Sequence, residues 1–342
     1  MKSSSNRLRD SGASFISPLW IVRRAVRGVA FFGLMLGLAA AHANAEETIT
    51  IGVQRAMMPI YIAKATGAIA EIGKQHGVQI VFRSFAYGGP ENKALAAGEL
   101  QMASAGMGPA ITASSRLPVK LLAITILEQT ALMVPTDSPV KTVADLKGKT
   151  IVHPGAKSQQ YPLLIKGLAD AGLEVGDVTL FKVKGSEVGE LVTAKAVDAG
   201  ITWDPHVSFA LASGKARILL KAESILPIKN GHYLGNGLYA REDFIAARPE
   251  LVQDIISAVV SAVDLILDNP AKAIELWAQE IEFAEEVISY SMERGISVYV
   301  RNIAPDKASV ETYANFLKDA GILNPTDFPK YDASFAEKAM AE

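Results

Sequence analysis

After its first 45 residues the chain carries four histidines, His76, His153, His206 and His232, and it has no cysteine anywhere. The histidines lie without metal-ligand spacing, and neither H-E-x-x-H nor G-x-S-x-G occurs. With no thiol there is no cysteine nucleophile, no thiolate metal site and no disulfide. The carboxylate pair Glu285-Glu286 falls on a polar helix face and reads as solvated. The reading is a protein that is not an enzyme, with no catalytic residues, no metal and no cofactor. What the residue types do support is binding. Four loops, "QRAMMP" (54–59), "YGGPEN" (87–92), "GMGPA" (106–110) and "HPGAKSQQ" (153–160), stand where a strand should feed a helix. Three carry both Gly and Pro; Gly admits a ligand to the backbone and Pro preorganises the first helical turn. The free N–H groups there suit an anion. Ordinary α/β turn chemistry explains any one such loop, but several on both halves of the chain point to a small anion held between them. None has phosphate-loop spacing, so a nucleotide is not expected.

Within these loops Gln54, Met57, Met58 and Tyr61 offer one amide and an apolar wall, unless the Met and Tyr side chains are core. Lys157 stands beside Ser158, Gln159 and Gln160, where the helix dipole does not favour a cation. It either pairs with an anionic ligand or is a solvated surface lysine. In "DAGITWDPH" (198–206) a strand runs out at Trp203, whose ring either stacks on a ligand or packs in the core. Asp204 reads as the N-cap of a helix with Pro205 at its first position; the alternative is that it receives a ligand amino group. His153 and His206 also fall near strand ends, where either could touch a ligand, and read first as ordinary surface or packing residues.

The elements that must position these residues alternate. β-Branched, alternating stretches at 47–53, 78–87, 100–106, 119–127 and 130–135 read as strands, with helical spacing at 58–77, 88–98 and 109–117. The pattern restarts with a short capped helix at 142–148, strands at 149–154, 178–185, 197–203, 216–222 and 231–240, and helices at 157–173 and 186–196. "KALAAGELQMASAG" (93–106) and "ELVTAKAVDAGITW" (190–203) echo one another, which fits two halves on one plan. Alternation of this kind predicts largely parallel α/β sheets. From Arg241 onward an i, i+3, i+4 apolar face predicts packing helices, with Trp277 in the core.

Residues 1–45 read as an export leader. Arg7, Arg9, Arg23, Arg24 and Arg27 precede an apolar run from Val29 to Ala41, and "AHANA" then places small residues for cleavage after Ala45. The run is shorter than the roughly 18 residues of a membrane span. Without a cysteine for lipid attachment, the processed protein is expected free in the periplasm. The leader holds six of the 34 Lys/Arg and one of the 36 Asp/Glu, so its removal changes the net charge from −2 to −7. An acidic chain of this kind is a poor nucleic-acid binder.

The ordered stretches "ALAAGELQMASAGMGPAI" (94–111), "SPVKTVADLKGKTIVHPGAKSQQYPLLIKGLADAGL" (138–173), "VDAGITWDP" (197–205) and "YAREDFIAARPELVQ" (239–253) together resemble the taurine, aliphatic sulfonate and nitrate family of ABC-transporter substrate-binding proteins. The resemblance implies a type II periplasmic-binding-protein fold. Two α/β lobes, 46–133 with 237–342 and 134–236, would enclose a ligand cleft, with the C-terminal helices packed on lobe one. By position it implies ligand contacts at Gln54, Met58, Gly88, Gly89, Met107, Gly108, Lys157, Ser158, Trp203, Asp204 and Asn236. The implied function is capture of a small organic anion, sulfonate-like, by lobe closure, and delivery to membrane permease subunits by a monomeric protein. The alternatives are a same-fold binder of a neutral or heterocyclic ligand such as a pyrimidine precursor, or a same-fold biosynthetic enzyme. The enzymes of that fold that use a cysteine-rich motif are not matched here.

Overall fold

The computed structural model describes residues 47–342; the expected leader lies outside the described residues. Two sheets organise the chain. The first holds β1 (Glu47–Gln54), β2 (Val78–Phe85), β3 (Met102–Gly106), β4 (Val119–Glu128), β10 (Leu234–Arg241) and β11 (Ser297–Val298), in the order β11-β4-β10-β3-β1-β2. The second holds β5 (Thr130–Pro135), β6 (Thr150–His153), β7 (Thr179–Lys182), β8 (Ala199–Trp203) and β9 (Ala216–Lys221), in the order β7-β6-β8-β5-β9. Strands β3, β4, β5 and β8 are almost wholly buried, as expected where helices cover both faces.

The sheets are mixed rather than largely parallel. β1 pairs in parallel with β2 and β3, and β6 with β7 and β8, but β10 runs antiparallel between β3 and β4, and β5 antiparallel between β8 and β9. The cause is the chain's passage between the halves. Most strands finish at the end of their sheet that faces the other half. β5 and β10 arrive from that other half, so they start where their neighbours finish. Thr130, the first residue of β5, is accordingly opposite Trp203, the last of β8, and Asn236, near the start of β10, is opposite Gly106, the last of β3. The chain leaves the first sheet at Glu128 and enters the second at Thr130. Residues 130–133, expected with lobe one, therefore hydrogen-bond in the second sheet, and 234–236, expected with lobe two, in the first.

The helices mostly follow the sequence pattern. The 58–77 stretch is two helices, Pro59–Ala65 and Ala68–His76, because Gly67 takes a positive φ of 82° between them. The stretch expected helical from Lys157 is helical only over Gln160–Asp170; Pro154 to Gln159 form the turn that precedes it. The 20-residue helix Pro249–Asp268 lays its apolar face on Pro59–Ala65 and Ala68–His76, and Trp277 is fully buried with Nε1 donating to the Met58 carbonyl at 3.0 Å. Glu285–Arg294 also touches the second half, against His206–Ala212. Among the described residues no helix is long and apolar enough to cross a membrane.

Candidate ligand-binding site

The two sheets point their inner strand ends at one small cavity. Gln54 closes β1, Gly106 closes β3, Trp203 closes β8, and Asn236 sits near the start of β10; all four line it. Gln129, between β4 and β5, and Ser158, Gln159 and Gln160, in the turn after β6, complete the polar wall. Met58, Tyr87, Gly88 and Pro109 add the apolar part. This is the crevice beyond strand carboxyl ends where open α/β sheets take ligands. The cavity measures about 10 Å³, close to the space of one water, so the halves stand closed around it. Gln159 takes up much of the room: a Cβ on Gly106 would lie 2.7 Å from its Oε1.

The hydrogen bonds fix how these amides present themselves. Asn236 Oδ1 accepts from the Ser104 and Thr125 hydroxyls at 2.9 and 2.8 Å, leaving Nδ2 buried and unpartnered. Gln129 Nε2 donates to the Gly235 carbonyl at 2.6 Å, leaving its Oε1 unpartnered. Gln159 Oε1 is unpartnered as well, while Gln160 Nε2 donates to Thr130 Oγ1 at 3.0 Å. Buried polar groups left unpaired cost free energy, and a cluster of three around one cavity marks a place where another molecule supplies the partners. Among the described residues no Lys or Arg lines this cavity.

Behind the first half of the wall lies Glu91, fully buried in the helix Gly88–Ala96. Its Oε2 accepts from Gln54 Nε2 at 2.7 Å, and its Oε1 has no partner. Burial pushes its carboxyl from the ordinary 4.5 up to about 8, the bonds from Gln54 and the Ser104 backbone opposing, so at neutral pH it is mostly protonated.

The residues expected at the site divide. Gln54, Met58, Gly88, Ser158, Trp203 and Asn236 line the cavity. Gly89, Gly108 and Lys157 instead line a neighbouring groove of about 480 Å³, more open and mostly apolar, together with Lys93 and Arg116. Lys157 is exposed there because the helix it was expected to open begins three residues later. None of the unpaired buried atoms among the described residues belongs to a residue of that groove, which is why the smaller cavity is the candidate site. Met107 lines neither and is fully buried beneath, near Gly237. Asp204 also lines neither. One of its carboxylate oxygens accepts from the Ser208 N–H at 3.0 Å and the Ser208 hydroxyl at 2.6 Å; the other accepts from the hydroxyls of Ser291 and of Ser297, the latter at 3.0 Å. It thus caps the helix His206–Ala212, with Pro205 rather than Asp204 in the position before its first residue, and ties the second half to the C-terminal segment. Burial raises its pKa, the four donated bonds opposing.

Trp203 packs in the core and also borders the cavity. Its ring lines the cavity yet is almost wholly buried, and Nε1 donates to the Arg55 carbonyl at 3.1 Å, a bond between the halves. His206 packs edge-on against Trp203 and against Phe283, and burial, with Arg55 nearby, lowers its pKa to about 4. His153 Nδ1 accepts from the Gly155 N–H at 3.1 Å. Neither histidine lines the cavity. His232, read as one of four histidines without metal-ligand spacing, stands 3.2 Å from Glu223 and 3.7 Å from Glu128, with Lys221 3.3 Å from Glu223. Sequence reasoning missed Gln129, which no motif marks: it sits at the strand junction with a positive φ of 87°. Gln159 was visible only as a neighbour of Lys157.

Two α/β sheets closing on a polar cavity at their strand ends define the periplasmic-binding-protein fold. The chain belongs to the NMT1/THI5-like family, whose model matches residues 55–273. It is 26% identical over 240 residues to the taurine-binding periplasmic protein of Escherichia coli (strain K12), covering 68% of this chain and 70% of that one. It is 26% identical over 267 residues to a putative aliphatic sulfonates-binding protein of Bacillus subtilis (strain 168), covering 76% and 79%. Among solved structures, the alkanesulfonate-binding protein SsuA from Xanthomonas axonopodis pv. citri bound to MOPS superposes with a TM-score of 0.69 at 22% identity, covering 84% of this chain and 97% of that one; this likeness is one of fold.

Proposed function

We propose that this protein is the solute-binding component of an ABC importer, working in the periplasm without catalysis as a monomer. It captures a small sulfonate-like solute between lobes divided near Gln129 and in the segment between β9 and β10, and delivers it to permease subunits. The observation that carries this reading is the set of unpaired amide atoms of Gln129, Gln159 and Asn236 around one cavity between the sheets. A solute that meets groups from both halves binds the closed form better than the open one, and that difference in affinity drives closure. The relatives' names supply the solute class: one is called a taurine-binding protein and another a sulfonates-binding protein.

The test uses protein unfolded and refolded to strip bound solute. A thermal-shift panel of sulfonates, carboxylates, nitrate and pyrimidines is followed by small-angle scattering with the best hit, and by uptake of that hit in cells with and without the protein. The expected result is a saturable stabilisation, a smaller radius of gyration with ligand, and uptake lost without the protein. A panel in which nothing stabilises the protein, or uptake unchanged in its absence, overturns the proposal.

A further inference from the structure

Resting on that reading of the cleft, we infer that the solute carries N–H groups, an amine or an amide, beside its oxygen acceptors. Acceptor-only anions such as nitrate or a plain alkanesulfonate are then poor ligands. The side-chain atoms that the wall leaves unpartnered define what the solute must bring. A carbonyl oxygen can only accept, so the bond from Gln129 to the Gly235 carbonyl must use the amide nitrogen. The group left over on Gln129 is therefore an acceptor, and it is buried and unpartnered. Gln159 presents a second unpartnered acceptor, with Nε2 turned to Thr130 Oγ1. Asn236, held through Oδ1 by two hydroxyls, presents a donor.

Among the side chains of the wall, two acceptors and one donor thus await partners. A sulfonate or nitrate oxygen can satisfy Asn236 Nδ2, but it would set negative oxygens against the two amide carbonyls and leave both unpaired. With no Lys or Arg in the wall, nothing formally charged offsets that repulsion. A solute that brings N–H groups to Gln129 and Gln159 and an oxygen to Asn236 satisfies all three. Sites built for hydrogen bonds reject analogues lacking the matching group far more strongly than apolar pockets reject a missing methylene.

Two matched probe pairs test this by titration calorimetry on stripped, refolded protein: 2-aminoethanesulfonate against ethanesulfonate, and uracil against 1,3-dimethyluracil. In at least one pair the N–H member should bind about tenfold or more tightly than its partner. Gln129→Met and Gln159→Met, each first shown by thermal melting to be folded, should each narrow that gap. The second variant guards against the first, because Gln159 lacks the short backbone bond that anchors Gln129. Probes that bind with no gap in either pair, ethanesulfonate as well as 2-aminoethanesulfonate and 1,3-dimethyluracil as well as uracil, or a gap that survives both substitutions, overturn the inference while leaving solute capture standing. If none of the four probes binds, the inference and the sulfonate-like cargo fall together.

Discussion

A Cβ placed on Gly185 would lie 2.1 Å from Cη2 of Trp203. The first residue of the helix Gly185–Thr193 is thus the floor on which the indole lies, and the ring reaches the cavity because that floor has no side chain. A rigid indole cannot yield as a flexible side chain would. Gly185→Ala should therefore cost about 1–3 kcal/mol in urea unfolding and blunt the fluorescence response to ligand by displacing the ring. Unchanged stability and response would show that the helix simply shifts outward.

Asp204 is a structural tie between the helix His206–Ala212 and the C-terminal segment. It is fully buried, is not among the residues lining the cavity and accepts four hydrogen bonds from three serines. Asp204→Ala should lower stability by about 2–4 kcal/mol by stripping these donors of their acceptor. At a temperature where the variant remains folded, ligand affinity should change little. A variant with native melting behaviour but no binding would restore the idea that Asp204 receives a ligand amino group.

Glu91 should make the protein less stable as pH rises. Its folded pKa of about 8 lies above the ordinary 4.5, so the folded state holds the proton more tightly than the unfolded chain. Stability linked to this group is full below the lower value and is lost progressively as pH climbs from about 4.5 to about 8. Glu91→Gln, which cannot ionise, should flatten that slope when urea midpoints are compared at intervals across the window. A wild type and variant with parallel pH profiles would show that Glu91 ionises in the fold as freely as in water.

Much of the fold was legible because two-residue and 3.6-residue periodicities separate cleanly along this chain. β3, "MASAG", and β8, "AGITW", read as strands from composition and are buried at every position. The strand directions were harder to read. Whether a strand is parallel depends on which half the chain comes from, and β5 and β10 carry no local mark of arriving from the other sheet. The lining of the candidate cavity was legible where a loop has Gly or Pro and a strand ends, as at Gly88 and Trp203. It was not legible at Gln129, whose role depends on the Gly235 carbonyl 106 positions away. Lys157 misled for a related reason: its apparent place at a helix start disappears once the turn after β6 holds the helix back to Gln160.

Lys157 is solvent-exposed and lines the outer groove with Lys93 and Arg116, not the cavity between the sheets. An exposed charge acts on a buried solute through water and ions, which screen it strongly at physiological salt. Lys157→Met should accordingly change ligand affinity by no more than about threefold, with any effect fading as salt is raised. Gln129→Met, by contrast, should weaken an N–H-bearing ligand about tenfold or more and do so at every salt concentration, because it removes a buried partner rather than a distant field. Calorimetric titration of both variants at low and high salt separates the two mechanisms. A loss at Lys157→Met that exceeds the loss at Gln129→Met would mean that the lysine swings into the cleft when ligand binds, and that charge, rather than amide complementarity, selects the solute.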